Sequence, residues 1–447
     1  MLKQDDIITY TAESYANSET VGYVDGYTVF VPNMLAGETA KVKVTYVKKN
    51  IAYARIVEFI TTSPLSVNPK CKHFGKCGGC VLSRMSYAEQ LNFKRNKVMQ
   101  NLRKIGKTDC DVLPCFPSPK QLEYRNKISL PICGTQGKAY AGMYQKGTHK
   151  AVKTNGCLLC GSWATTLANE VTEYLNAYKI APYDERTFKG EVRHLVARYI
   201  DGQLLVALVV NGEFKHDLQP LIDRLNKSFD KFGLFININN NKNNVILGKT
   251  TRYIYGLKYI ESEHLGVKFR LQIESFFQVN DEVKNAIYSK VKELLNTSQT
   301  QALIDCFSGV GVLTNVLADD RFDTYAIEIE PSAADDANAL AEINGKRITN
   351  ICGDVNVELP KLTNQLNGKR ITMVVDPPRK GLGETVCNTI LSAQVDNIVY
   401  VSCDSATLAR DIAQLSAGYK VTYVEPYDLF PQTDQVETVV LLVRRTQ

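Results

Sequence analysis

Ile398-Val399-Tyr400-Val401-Ser402-Cys403-Asp404 decides how this chain folds. An apolar, β-rich run ends on a cysteine, and a helix-like segment follows it. A short apolar run with these bounds predicts a buried strand of a parallel sheet. Open α/β sheets carry their chemistry at the carboxyl ends of their strands. Cys403 stands at that edge, either as a nucleophile or as one more buried, inert thiol. The neighbouring segments favour the nucleophile.

From about residue 271 the chain alternates strand and helix, which predicts a Rossmann-like domain over 271–447. Ala302-Leu303-Ile304-Asp305-Cys306-Phe307-Ser308-Gly309-Val310-Gly311 is a buried strand breaking into a glycine turn, with a helix from about Val312. Gly309 and Gly311 let the backbone approach a ligand. Two glycines are too few for the dinucleotide fingerprint. Tyr325-Ala326-Ile327-Glu328 then ends in an acid about twenty residues on, where a carboxylate can hold both ribose hydroxyls. Asn350-Ile351-Cys352-Gly353-Asp354 ends a third strand with an acid suited to an adenine amine. In this order the three describe a pocket for S-adenosylmethionine.

The fourth strand runs into Asp376-Pro377-Pro378-Arg379-Lys380-Gly381. Consecutive prolines fix φ and lack amide donors, so they make a rigid turn that can hold Asp376 against a ligand. The last strands, Tyr419 to Val424 and Glu437 to Val443, have a short link and form an antiparallel pair. The start of the final strand then shares an edge with the ends of strands four and five. Asp376, Cys403 and Glu437 are expected to face one pocket.

The 447 residues predict about two to four domains. Thr28–Val31, Ala40–Val44 and Ala54–Val57 alternate between glycine breaks, the pattern of a small β-barrel over 1–62. Lys41, Lys43, Lys48, Lys49 and Arg55, with Tyr23, Tyr27, Tyr46 and Tyr53 between them, suit phosphate contact and base stacking, or simply a solvated face. An α+β central domain follows over 63–270, read as substrate-holding. Its first part is basic, with ten Lys or Arg against Glu89 alone from Lys70 to Lys107. Ser86 to Lys104 has helical spacing, with Leu91, Val98 and Leu102 on one side and a cationic face on the other. The net charge of +6 permits nucleic acid without demanding it.

Twelve cysteines without a signal region predict a reducing, cytoplasmic setting, where clustered thiols suggest metal or catalysis. Cys71-x5-Cys77-Gly78-Gly79-Cys80 can converge on one soft metal centre. A fourth ligand is needed, and Cys157 or Cys160 can supply it. Zinc and a four-iron cluster both accept four thiolates. His73 is a further possible zinc ligand. No run is long enough to span a membrane.

Cys71-x5-CGGC, Phe276-Phe277-Gln278-Val279-Asn280, DxFSGVG, DPPRKG, VSCD and FPQTDQVET together resemble the RNA uracil-5-methyltransferases over almost the whole chain. The first sixty residues resemble a TRAM domain, and barrel plus cysteine cluster resemble the 23S ribosomal RNA branch. That resemblance implies a [4Fe-4S] cluster held by Cys71, Cys77, Cys80 and Cys157. It also implies that Gln278, Phe307, Glu328 and Asp376 contact the cofactor, that Cys403 attacks the base, and that Glu437 removes a proton. It departs from the family at Gln435, where relatives often have His, and at Val312, where some have Asn. The expected protein is a monomer acting on 23S ribosomal RNA, with neither DNA nor membrane as partner. Transfer RNA as substrate, a cytosine-5 methyltransferase, a redox carrier and a non-catalytic RNA-binding or assembly factor are the alternatives.

Overall fold

The computed structural model describes residues 1–154 and 156–445. Three sheets organise the chain. The first holds six strands between Ile7 and Thr61 around a core of Tyr10, Val29, Val31, Ala40, Val42, Val44 and Ala52. Gly22 lets its third strand approach the first: a Cβ there would lie 2.3 Å from the Thr11 carbonyl oxygen. This unit is tied to the next by Arg84, whose guanidinium donates to both oxygens of the buried Glu38 at 2.8 and 2.9 Å. Two parallel bonds of this kind fix orientation as well as position.

The second sheet has seven strands between Lys127 and Gly256. Helices Gly161–Ala177 and Gln219–Ser228 cover one face. The other face, through Val196, Leu205, Ala207, Val209 and Phe235, packs on Ile260, Phe269, Leu271 and Phe277 and reaches Val312 and Leu340 of the C-terminal unit. A shared core of this kind joins the two units along a continuous apolar seam.

The third sheet is the expected α/β core. Its strands are β1 (Ala302–Cys306), β2 (Asp323–Glu328), β3 (Ile348–Cys352), β4 (Ile371–Val375), β5 (Asn397–Ser402), β6 (Tyr419–Tyr427) and β7 (Glu437–Arg444). Their order is β3-β2-β1-β4-β5-β7-β6. The first five are parallel, and β7 is antiparallel to both neighbours. Near-continuous burial of β1, β4 and β5 explains their unbroken apolar sequence, since helices cover both faces.

Helix Tyr87–Lys104 forms where its periodicity predicts, capped by the Ser86 hydroxyl. Its packing differs from the expectation. Val98 and Leu102 lie in the core of the C-terminal sheet, and Phe116 stacks on Tyr427 of β6. Residues 87–116, which the sequence assigns to the central unit, thus build the flank of the third. Lys94, read as part of a cationic face, is fully buried and paired with the equally buried Asp428. A charge survives burial only when paired and hydrogen-bonded.

Candidate active site

β5 ends at Ser402, and Asp404 caps the following helix, its Oδ1 accepting from the Ala406 and Thr407 amides at 2.9 Å each. Cys403 is caught between strand end and helix start. Ser402 pairs with Thr438 across to β7, so Glu437 enters the sheet beside Cys403. β4 lies on the other side of β5 and delivers Asp376. Gly381 closes the double-proline turn at φ +72°, with its amide donating to the Pro378 carbonyl at 2.8 Å. A Cβ at Gly381 would sit 2.4 Å from Asp411 Oδ2, so only glycine fits.

The three groups sense one another. Burial pushes the Cys403 thiol up to about 11, and the Glu437 and Asp376 carboxylates add to that while Arg379 opposes it. Burial raises Glu437 to about 8, with Asp376 adding and Arg379 opposing. Burial raises Asp376 to about 7. Arg379, inside the DPPRKG motif but given no role by the sequence, is the cation facing both Cys403 and Glu437.

Beside them lies a cavity of about 540 Å³ lined by Gln278, Phe307, Ser308, Gly309, Asp305 and Asp376, among others. Phe307 takes φ +65°, unusual for an aromatic residue and concentrated at functional sites. Gly309 faces open space, and the buried Ser308 Oγ has no protein partner. The buried Asp305 accepts from Thr314 Oγ1 at 2.5 Å and is raised to about 7 by burial. Tyr288 also lines the cavity, and burial with the nearby Asp376, Asp305 and Glu437 raises its hydroxyl well above the ordinary range. The sequence singled out neither Asp305 nor Tyr288. Asp305 sits inside a quoted motif and was legible, whereas Tyr288 is one more aromatic on a helix.

Not every expected residue lines this cavity. Glu328 is turned to backbone donors, accepting from the Gly309 amide at 2.8 Å and the Glu330 amide at 2.9 Å. Gly311 serves packing: a Cβ there would lie 3.1 Å from Ala337 Cβ. Asp354 is exposed and caps helix Val355–Gln365 through the Asn356 amide. Val312 lines the cavity, and Gln435 lies in the loop before Glu437.

Cys71, Cys77, Cys80 and Cys157 converge on a second cavity of about 550 Å³. Burial raises the thiols of Cys77 and Cys80, the latter to about 12, and the neighbouring Cys157 and Cys71 sulfurs add to both. Cys160 is buried, lies off that cavity and hydrogen-bonds Cys157. Among the described residues, no group of three or more His, Cys, Asp or Glu side chains is arranged to hold a metal ion. The cysteines therefore gather, but not in the single-ion arrangement that the spacing permits. On the barrel, Tyr23, Tyr46 and Tyr53 are 65, 52 and 42 % exposed, with Tyr53 stacked on Phe30 at 5.3 Å, an aromatic surface of the kind on which bases stack.

The profile of the tRNA (uracil-5-)-methyltransferase family matches residues 86–445, and that of the TRAM domain matches residues 8–57. The chain belongs to this uracil-5-methyltransferase family. A protein of Halalkalibacterium halodurans described as an uncharacterized RNA methyltransferase is 35 % identical over 99 % of this chain and 98 % of its own length. A Listeria innocua protein of the same description is also 35 % identical over 99 % of this chain and 98 % of its own. The crystal structure of Pyrococcus abyssi tRNA (uracil-54, C5)-methyltransferase with S-adenosyl-L-homocysteine superposes with a TM-score of 0.77, at 26 % identity over 98 % of this chain and all of that one. The protein is thus an S-adenosylmethionine-dependent RNA methyltransferase with an N-terminal RNA-binding TRAM domain. No helix among the described residues is long and apolar enough to cross a membrane.

Proposed function

We propose that this enzyme methylates C5 of a uridine in 23S ribosomal RNA through a covalent bond between Cys403 Sγ and C6 of the base. The observation that supports this chemistry is the pairing of Ser402 with Thr438, which brings Cys403 and Glu437 to the edge where β4 delivers Asp376, while the choice of 23S RNA rests on the cysteine-cluster resemblance.

Uracil C5 is a weak nucleophile. Addition of the Cys403 thiolate at C6 moves the C5–C6 π pair toward C5 and O4 as an enolate. Arg379 favours the thiolate, and the protonated forms of Asp376 or Asp305 are donors for developing negative charge. S-adenosylmethionine, when bound, supplies the methyl group as an electrophile. Gln278, Phe307, Gly309, Ser308 and Asp376 line the cavity that fits it, with Glu328 and Asp354 at the β2 and β3 ends beyond. The methylated C5 still bears its proton. Glu437 takes that proton, the C–H pair restores the C5–C6 double bond, and the thiolate leaves. A base raised to about 8 matches a task near neutral pH, and its ionised fraction grows as pH rises through that value. The target uridine must be unpaired or flipped out to reach Cys403.

The [4Fe-4S] centre that the resemblance implies takes four thiolates, and what supports it is that Cys71, Cys77, Cys80 and Cys157 line one cavity. Nothing in the methylation moves an electron, so the centre's role is in folding or RNA positioning. Cys157, which lines the cavity, is the fourth ligand in preference to Cys160.

A second substrate, transfer RNA, is favoured by the full-length likeness to the Pyrococcus abyssi enzyme. One assay separates the two. Labelled methyl from S-adenosylmethionine is offered with unmodified 23S and transfer RNA, to wild type and to Cys403→Ala. The expected result is 5-methyluridine in 23S RNA from the wild type, and a loss of about 10⁴-fold or more in the variant. Label in transfer RNA alone would keep the chemistry and move the substrate. Label in neither would favour a non-catalytic RNA-binding role.

A further inference from the structure

Residues 428–436 join β6 to β7 and run directly into Glu437. Sheet pairing fixes only the ends of this loop, with Tyr427 opposite Glu437. Its middle is held from elsewhere. Lys94 Nζ donates to Asp428 and to the Phe430 carbonyl at 3.0 Å. Lys97 Nζ donates to the Asp434 carbonyl at 2.8 Å. The Tyr124 hydroxyl donates to the Pro431 carbonyl at 3.1 Å. The buried Gln90 grips Gln432 twice: its Oε1 accepts from the Gln432 amide at 3.0 Å, and its Nε2 donates to Gln432 Oε1 at 3.3 Å.

The cysteine segment reaches the same residue. Just past Cys80, the Leu82 amide donates to the Gln432 carbonyl at 3.0 Å. Gln432 itself takes φ +72°, a left-handed conformation costly for any residue but glycine. Bonds to both its amide and its carbonyl, from two other segments, impose that conformation. A cavity of about 570 Å³ has Cys71, Cys80 and Cys157 on its wall together with Gln432.

We propose that Gln432 is a joint through which the cysteine segment and helix Tyr87–Lys104 position the loop that leads into the base Glu437. Gln90, Lys94 and Gln432 are therefore positioning residues. The inference rests on the covalent route proposed above. In that route, thiolate addition and methyl transfer precede any work by Glu437, and only release needs it. A loosened joint misplaces the carboxyl and slows that one step, so methylated RNA stays bound to Cys403. A role in stability alone would lower all steps together.

The test uses full-length Gln432→Gly, which suits the left-handed backbone, and Gln90→Leu, which removes both amide bonds at similar bulk. Wild type and Glu437→Gln are run alongside. Each is incubated with labelled cofactor and the preferred RNA, and denaturing gels separate protein-bound from released methylated RNA. Both variants are expected to accumulate labelled adduct, with kcat down by about 10- to 100-fold. KM for RNA is expected to fall together with kcat, leaving kcat/KM within about twofold of wild type, because only a step after covalent commitment is slowed. If Glu437→Gln traps adduct and Gln432→Gly turns over like wild type without trapping, the joint is overturned. If Glu437→Gln itself traps no methylated adduct, the covalent reading fails, and the joint falls with it. A second readout needs no activity: amide hydrogen exchange across 428–436 is expected to quicken in Cys80→Ser, and unchanged exchange there would overturn the link to the cysteine segment.

Discussion

Cys403 and Glu437 are set by backbone pairing within one sheet, whereas the stretch 272–278 over the cofactor cavity is set by side chains of another unit. At the first end, β4 and β5 finish where β7 begins, and adjacent strands carry the three groups wherever the sheet goes. At the second end, Asn126 of the central unit reaches across. Its Nδ2 donates to the Gln278 carbonyl at 3.0 Å and to Asp281 Oδ2 at 3.0 Å, and its amide donates to the Val279 carbonyl at 3.0 Å. The buried Arg198 adds a bond to the Ser275 carbonyl at 2.7 Å. Chemistry is rigid by topology, and cofactor contact depends on how the central unit docks.

The strongest test of the rigid end is Glu437→Gln. Turnover is expected to fall by about 10²- to 10⁴-fold, the usual reach of a positioned base. Stability should move the other way at high pH. The folded-state value of about 8 lies above the ordinary 4.5, so the native state holds a proton that the unfolded chain has released. Native stability therefore declines as pH rises from about 4.5 to about 8, and levels off above. Asp376 and Asp305, both raised to about 7, add to the same decline over 4 to 7. Thermal unfolding across pH 5 to 9 is expected to show a shallower slope in Glu437→Gln than in wild type. Equal slopes would mean that Glu437 is not held in a dry site.

The contrast also explains what could be read beforehand. The α/β order, the glycine turn and the placing of Cys403 with Asp376 and Glu437 follow from strand periodicity and from one antiparallel pairing, both local signals. Asn126 carries no signal of its own in the sequence, and Lys94 reads only as one cation of a helix face. Their partners Gln278 and Asp428 lie far along the chain, and no local pattern links them. Tyr288 was hidden for the same reason, as its meaning comes from groups on β1, β4 and β7 rather than from its own helix. At Gly311 and Glu328 the structure adds contacts that the motifs do not announce, packing against Ala337 and bonds to the Gly309 and Glu330 amides.

Asn126→Ala probes the docked end. Loss of the Nδ2 bonds to the Gln278 carbonyl and to Asp281 Oδ2, with the backbone bond to Val279 kept, is expected to cost about 2 kcal/mol of cofactor affinity, about 30-fold. KM for S-adenosylmethionine should rise while kcat at saturation stays near wild type. An equal fall in kcat at saturating cofactor would place Asn126 with the rigid end and dissolve the contrast. Arg379→Ala acts on the rigid end more gently. Without that cation the Cys403 thiol rises above its value of about 11, so less thiolate is present at neutral pH. Arg379 is exposed, so solvent screens the effect, and adduct formation is expected to slow by about fivefold. The loss should shrink as pH is raised, and a pH-independent loss would assign Arg379 to RNA contact instead.

The mildest change is the most diagnostic about β3. Asp354 caps helix Val355–Gln365, with Oδ1 accepting from the Asn356 amide at 2.8 Å. Asparagine caps as well as aspartate, so Asp354→Asn should leave thermal unfolding unchanged. It removes the charge that strengthens a hydrogen bond to an adenine amine. If Asp354 holds the adenine, KM for S-adenosylmethionine rises by about threefold, the cost of a weakened hydrogen bond, with kcat intact. Asp354→Ala should add a loss of about 1 kcal/mol in stability from the missing cap. A cofactor KM that stays at the wild-type value in Asp354→Asn would leave this residue as a cap alone. The cofactor would then be held by β1, β2 and the loop that Asn126 anchors.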